Sequence, residues 1–98
     1  MGAAIFIGDE LSASGFRLAG IETLVPALGA IEPVLEEART RASLIIMTAD
    51  LARHIPAPRL EAAMLAERPT LAIIPDVLIR APMPDLVSRL RRILGIEV

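Results

Sequence analysis

The chain has no cysteine, no lysine, no tryptophan and no tyrosine, and carries one histidine and two phenylalanines in 98 residues. Without cysteine there is no disulfide, no thiolate metal cage and no thiol nucleophile. Without lysine there is no Schiff base and no phosphate-loop lysine, and all ten basic side chains are arginines. The lone imidazole, His54, does not build a histidine metal site by itself. Basic charge is not in surplus either. Ten basic against twelve acidic residues leave a formal charge of −2 and a pI near 5.3, which argues against a nucleic-acid binder. No apolar run approaches the roughly 20 residues that cross a bilayer. Met1 to Phe6 enters apolar sequence with no basic segment, so no secretory leader is expected. Position 6 is Phe where a myristoylation start needs Ser or Thr. The expectation is a cytoplasmic protein without direct membrane insertion.

What is present is aliphatic. Sixteen Ala, fourteen Leu and twelve Ile supply most of a hydrophobic fraction of 54%. Alanine favours helix and isoleucine favours buried strand. Short apolar runs alternate with amphipathic stretches, the pattern of βαβ units around a parallel sheet. Ala3–Ile7 reads as a strand closed by Gly8-Asp9-Glu10. A helix follows over Glu10–Ala19, with Asp9 as N-cap and Gly20 beyond its end. Gly15 inside it costs about 1 kcal/mol relative to alanine, which a close approach of helix to sheet would offset. Ile21–Val25 is a second strand, stopped by Pro26. Ile31–Ala42 is a helix with Pro33 in its first turn and an apolar stripe of Val34, Leu35, Ala38 and Ala42.

Ser43–Met47 fits a central strand buried on both faces. Thr48-Ala49-Asp50 opens a short helix through His54, and a further helix runs from Pro58 to Ala66. Thr70–Ile74 is the fourth strand, between Pro69 and Pro75. Asp76–Pro84 reads either as an edge strand over Val77-Leu78-Ile79 or, given its prolines, as an extended loop. The last helix is the clearest: Pro84 starts it, Asp85 sits in the first turn, Arg91 and Arg92 in the last, and Gly95 ends it. Leu86, Val87, Leu90, Ile93 and Leu94 line one face, and Ser88, Arg89, Arg91 and Arg92 the other. The expected architecture is one α/β domain over residues 1–98. It is a three-layer sandwich of about four parallel strands flanked by helices, receiver- or flavodoxin-like, with 84–95 as a terminal amphipathic helix.

Ligands of an open parallel sheet bind beyond the carboxyl ends of its strands, which is where Asp9 and Glu10 fall. A phosphoacceptor receiver domain holds a divalent cation there, but it also needs an Asp ending the third strand and a lysine near the last. Asp50 lies three residues past Met47, and lysine is absent. Asp9 therefore reads as a helix cap and Glu10 as a charge offsetting the helix dipole. Gly8 and Gly15 lack dinucleotide-loop spacing, and Ser12 and Ser14 lack a nucleophile-elbow context. His54 has Asp50 four residues before it as an available partner and reads as a surface histidine at a helix end. No catalytic residue, cofactor or metal is expected. Arginines beside a leucine-isoleucine face favour a binder over a catalyst, because arginine pairs with carboxylates at interfaces.

The run Ile7-Gly8-Asp9-Glu10, followed by Gly15-Phe16-Arg17-Leu18-Ala19-Gly20-Ile21, resembles the N-terminal signature of the F-subunit family of the vacuolar/archaeal-type (V-type/A-type) rotary ATPases. Its signature residues here are Gly8, Asp9, Glu10, Gly15, Phe16, Arg17 and Gly20. Leu44–Ala52, Pro69–Pro75 and Leu90–Ile96 are similar to later family landmarks in the same order. The resemblance implies a non-catalytic component of the central rotor stalk, peripheral to the membrane. Such a component binds the coiled-coil D-subunit and supports the coupling of ATP turnover to ion transport. It also implies a receiver-like sandwich without a phosphorylation site and a docking helix, here Asp85–Leu94. The expected contacts are Leu86, Leu90, Ile93 and Leu94 as apolar anchors, with Arg89 and Arg92 at the rim. Asp76–Pro84 departs from the family pattern in being richer in proline. Fold alone leaves two competing readings: a degenerate receiver-like signalling domain binding Mg²⁺ at Asp9 and Glu10, and a small-ligand or nucleotide-binding module. An exposed strand edge would also let the isolated chain self-associate.

Overall fold

A strand that is apolar on both faces has to be covered on both, and Ala3–Ile7 is such a strand. In the computed structural model, which describes residues 3–75, it forms β1 (Ala3–Ile7). α1 (Glu10–Leu18), β2 (Glu22–Leu24), α2 (Ile31–Arg39), β3 (Ala42–Thr48), α3 (Ala49–Ala52), α4 (Ala57–Leu65) and β4 (Thr70–Ile74) follow. A 3-10 turn over Leu28–Ala30 leads into α2. The four strands form one sheet in the order β2-β1-β3-β4, and every pairing is parallel. Ile7 is paired with Leu24 on one side and Met47 on the other, while Thr48 is paired with Ile74.

Strand alternation divides the core in two. On one face Ile5, Ile7, Ile45 and Met47 pack with Ile31, Leu35 and Ala38 of α2 and with Ala52 and Ile55. On the other, Phe6 and Ile46 pack with Ala13 and Phe16 of α1 and with Ala19 and Ile21. Helices thus lie on both sides of the sheet, as the flavodoxin-like three-layer expectation requires. Phe6 and Phe16 stack with ring centroids 4.1 Å apart and planes 12° from parallel.

β4 spans the residues expected of it, and α1 starts at Glu10 as expected but ends at Leu18, with Ala19 as its C-cap. The helix expected over Ile31–Ala42 is shorter. It stops at Arg39, and Ala42 opens β3 instead of completing the apolar stripe of α2. The stop has a local cause. The Thr40 hydroxyl donates to the Glu37 carbonyl at 2.7 Å, and the Arg41 guanidinium is held between Glu37 of α2 and Glu22 of β2. Alanine at 42 satisfies either periodicity, so the pattern ran on past the turn. β3 is fully buried only over Ile45–Thr48; Ala42–Leu44 are half-buried. β2 is a residue shorter at each end than expected, α3 ends at Ala52 instead of His54, and α4 covers Ala57–Leu65. Asp76–Pro84 and the terminal helix, with Leu86, Arg89, Leu90, Arg92, Ile93 and Leu94, lie outside the described residues.

Two glycines are dictated by geometry. Gly20, after α1, has φ of +87°, a left-handed conformation that side chains resist and that turns the chain back toward β2. Gly8 ends β1 beneath the Phe6 ring. A Cβ there would lie 2.8 Å from Phe6 Cε2 and 2.9 Å from Thr48 Cγ2. Gly8→Ala is expected to lower stability by about 1–3 kcal/mol through overpacking. Gly29→Ala, where an added Cβ meets nothing within 4 Å, is the control and is expected to be neutral. Chemical denaturation of the two variants beside the parent measures the difference.

Candidate functional site

The carboxyl end of the sheet is where an α/β fold places a ligand, and the turn after β1 is its first wall. Asp9 stands at the N-cap of α1. Its carboxylate accepts the Ser12 backbone N–H at 3.1 Å and the Ser12 hydroxyl at 2.6 Å. Partial burial pushes the Asp9 carboxyl up, but the hydrogen bonds from Ser12 outweigh it and hold the group below the usual carboxylate range. Glu10 pairs with Arg17 at 3.1 Å, and Arg17 Nε donates to Thr23 Oγ1 of β2 at 3.3 Å. Both acidic residues of the turn are therefore engaged within the chain.

The third strand ends in Thr48, which is fully buried, with a hydroxyl that has no hydrogen-bond partner among the described residues. It occupies the N-cap position of α3 without capping it. Asp50 of α3 pairs with Arg53, the residue just past the helix, and not with His54, the partner the spacing makes available. His54, next along the chain, is exposed, as expected of a surface histidine near a helix end. Among the described residues no cluster of three or more histidines and carboxylates is placed to hold a metal ion.

The seven signature residues all fall on the β1–α1–β2 unit, and each has an identifiable place there. Gly8 makes room for Phe6, Asp9 caps α1, and Glu10 and Arg17 tie α1 along its length and on to Thr23. Gly15 is buried, Phe16 stacks on Phe6, and Gly20 makes the left-handed turn. The signature reads as the specification of a rigid corner.

Other features were not read from the sequence. Arg59 of α4 pairs with Glu32 of α2, which ties the two helices of one face together. Arg41 joins α2 to β2: hydrogen bonds from its guanidinium hold Glu22 below the usual carboxylate range, and Glu22 followed by Glu37 pushes the guanidinium up. Leu11, Leu18, Val25, Leu28, Met64 and Leu65 are large apolar side chains left exposed. For Leu11 and Leu18 a signal existed, since both lie opposite Ala13 and Phe16 on the helical wheel.

The family model for the ATP synthase (F/14-kDa) subunit matches residues 4–88. The chain belongs to that family. The match runs from β1 past β4 and includes all seven signature residues. Comparison with curated proteins gave no match. The protein is thus a part of a V/A-type ATP synthase and associates with the rest of that complex. No helix among its described residues is long and apolar enough to cross a membrane.

The Asp9 cap makes a measurable prediction. Asp9→Ala is expected to cost about 1 kcal/mol at neutral pH. The native Asp9 pKa is depressed, so its contribution is complete above the ordinary aspartate value of about 4 and is lost as pH falls through the folded pKa. Denaturation of parent and variant from pH 7 to pH 2 should show the stability gap closing at the acid end. A gap of constant size would contradict a charge-dependent cap.

Proposed function

We propose that the protein is a non-catalytic component of the central rotor stalk, on the cytoplasmic side of the membrane. It binds the coiled-coil D-subunit and supports the coupling of ATP turnover to ion transport. The observation that carries this reading is the family match over residues 4–88, whose signature residues are spent on packing and internal pairing. A stalk component needs stiffness and a durable interface, not a reaction centre. Close-packed β1 and β3, with Ile5, Phe6, Ile7, Ile45 and Met47 shut off from solvent, are the source of stiffness.

In this reading residues 1–98 act as one domain that presents residues 84–95 as an amphipathic docking helix. Leu86, Leu90, Ile93 and Leu94 would insert into an apolar seam of the partner. Arg89 and Arg92 would pair with carboxylates at the rim, where their planar guanidinium groups give direction to the contact. A receiver-like reading finds little support at the turn after β1, because Asp9 is satisfied by Ser12 and Glu10 by Arg17. The test is binding of the full chain to the purified coiled-coil partner. Arg89→Glu with Arg92→Glu is expected to weaken it at least tenfold. Unchanged binding of that variant would remove the terminal helix as the docking surface.

A further inference from the structure

The two outer strands of the sheet are not equivalent. β2 is three residues long, and two of its three side chains are tied to arginines, Glu22 to Arg41 and Thr23 to Arg17. A short edge carrying charge resists the addition of a further strand. β4, at the opposite end, is the five residues Thr70–Ile74, with no charge and no proline inside it and an unbroken register with β3. Leu71–Ile74 are only half-buried. One edge of β4 is bonded to β3, and no strand lies along the other among the described residues. The backbone donors and acceptors of such an edge are a template for another strand.

The sequence around β4 matches itself. Arg68-Pro69 precedes the strand and Pro75-Asp76 follows it, so the run from 68 to 76 is symmetric about Ala72, with opposite charges at its ends. Two copies paired antiparallel across a two-fold axis at Ala72 would set Thr70 opposite Ile74 and Leu71 opposite Ile73. The same register would set Arg68 opposite Asp76 at both ends; Asp76, which lies outside the described residues, is two residues past Ile74 in the sequence. A slip of two residues in either direction loses both charge contacts. The prolines would also fall opposite each other, and without an N–H they limit the ladder to β4 in both copies. Arg68 is exposed and is the one arginine among the described residues with no ion-pair partner there.

We propose that the chain outside its complex is a symmetric dimer, in which β4 of each copy adds antiparallel to the outer edge of β4 of the other. The two four-stranded sheets join edge to edge. About four to six backbone hydrogen bonds form, two for each hydrogen-bonded residue pair. Arg68 of each copy pairs with Asp76 of the other, and the half-buried Leu71, Ile73 and Ile74 gain cross-strand neighbours. Any strand can bond to an open backbone edge. A second copy is the occupant because it brings the opposite charge to each end of the edge and prolines where the ladder has to stop. The contact is the same patch on both copies, so it closes at two and does not propagate. This dimer is independent of the stalk reading, which a monomeric free chain would leave untouched.

Sedimentation equilibrium of the full chain, from micromolar to near-millimolar concentration, tests the proposal. A monomer–dimer equilibrium is expected for the parent. Arg68→Glu and Asp76→Arg, each alone, set like charges opposite each other at both ends and are expected to weaken the dimer about tenfold. Combining them restores opposite charges and is expected to return the affinity to within about threefold of the parent. The chain is cysteine-free, so Ala72→Cys introduces a single thiol at the proposed axis. A short bis-maleimide is expected to link two copies through it, and Ser14→Cys on α1 is the control expected not to link. A parent that stays monomeric throughout overturns the proposal, as does a dimer that the reagent fails to link at position 72. A dimer indifferent to both charge reversals, or not recovered by their combination, overturns the register on which the choice of occupant rests.

Discussion

The two phenylalanines are the only aromatic side chains of the Phe, Trp and Tyr class in the molecule, and they lie on each other. That stack is the joint on which the β1–α1–β2 unit depends. Phe6 comes from the strand that pairs with both β2 and β3, so whatever it fixes is fixed to the middle of the sheet. Phe16 comes from the helix that covers that face. Offset or parallel ring contacts contribute about 0.5–1.5 kcal/mol beyond the area they bury. The larger consequence is geometric. The Phe6 ring extends over the end of its own strand, so residue 8 has to be glycine, and the Thr48 methyl closes the same space from β3. Glycine there in turn lets the chain turn at once into the capped first turn of α1.

Around this joint the arginines act as exposed ties. Arg17 lies along α1 to Glu10 and reaches Thr23, Arg41 links α2 with β2, Arg59 links α4 with α2, and Arg39 and Arg53 pair with Glu36 and Asp50, each three residues away. Exposed pairs of this kind contribute little stability each. Their use is directional, because a planar guanidinium reaching two acceptors fixes how neighbouring elements lie. An all-arginine basic set suits that task. The absence of lysine, which excludes several reactions, also leaves arginine as the cation of every one of these pairs among the described residues.

The fold was legible where one residue type decides the local geometry. Asp9 before an apolar-periodic run marked the start of α1, Gly20 marked its end, and prolines at 69 and 75 bounded β4. It was not legible where a residue suits two structures. Ala42 fits a helical stripe and a strand equally. Only the Thr40 and Arg41 contacts decide against helix, and one of them reaches Glu22 of β2, 19 residues back along the chain. His54 was legible as a surface histidine just past a helix end, and the pairing of Asp50 with Arg53 three residues on was not. The signature residues were legible as a family mark, but their tasks were not, because stacking and strand-end clearance are properties of tertiary placement.

The central claim is that this protein belongs to the turning shaft and not to the catalytic head. Native mass spectrometry of the intact ATP synthase, isolated through a tag on this chain, addresses it most directly. The account requires one copy per complex, retained together with the coiled-coil partner when the nucleotide-binding head is stripped away. Several copies per complex, or release of this chain with the head while the coiled-coil partner stays behind, would contradict it.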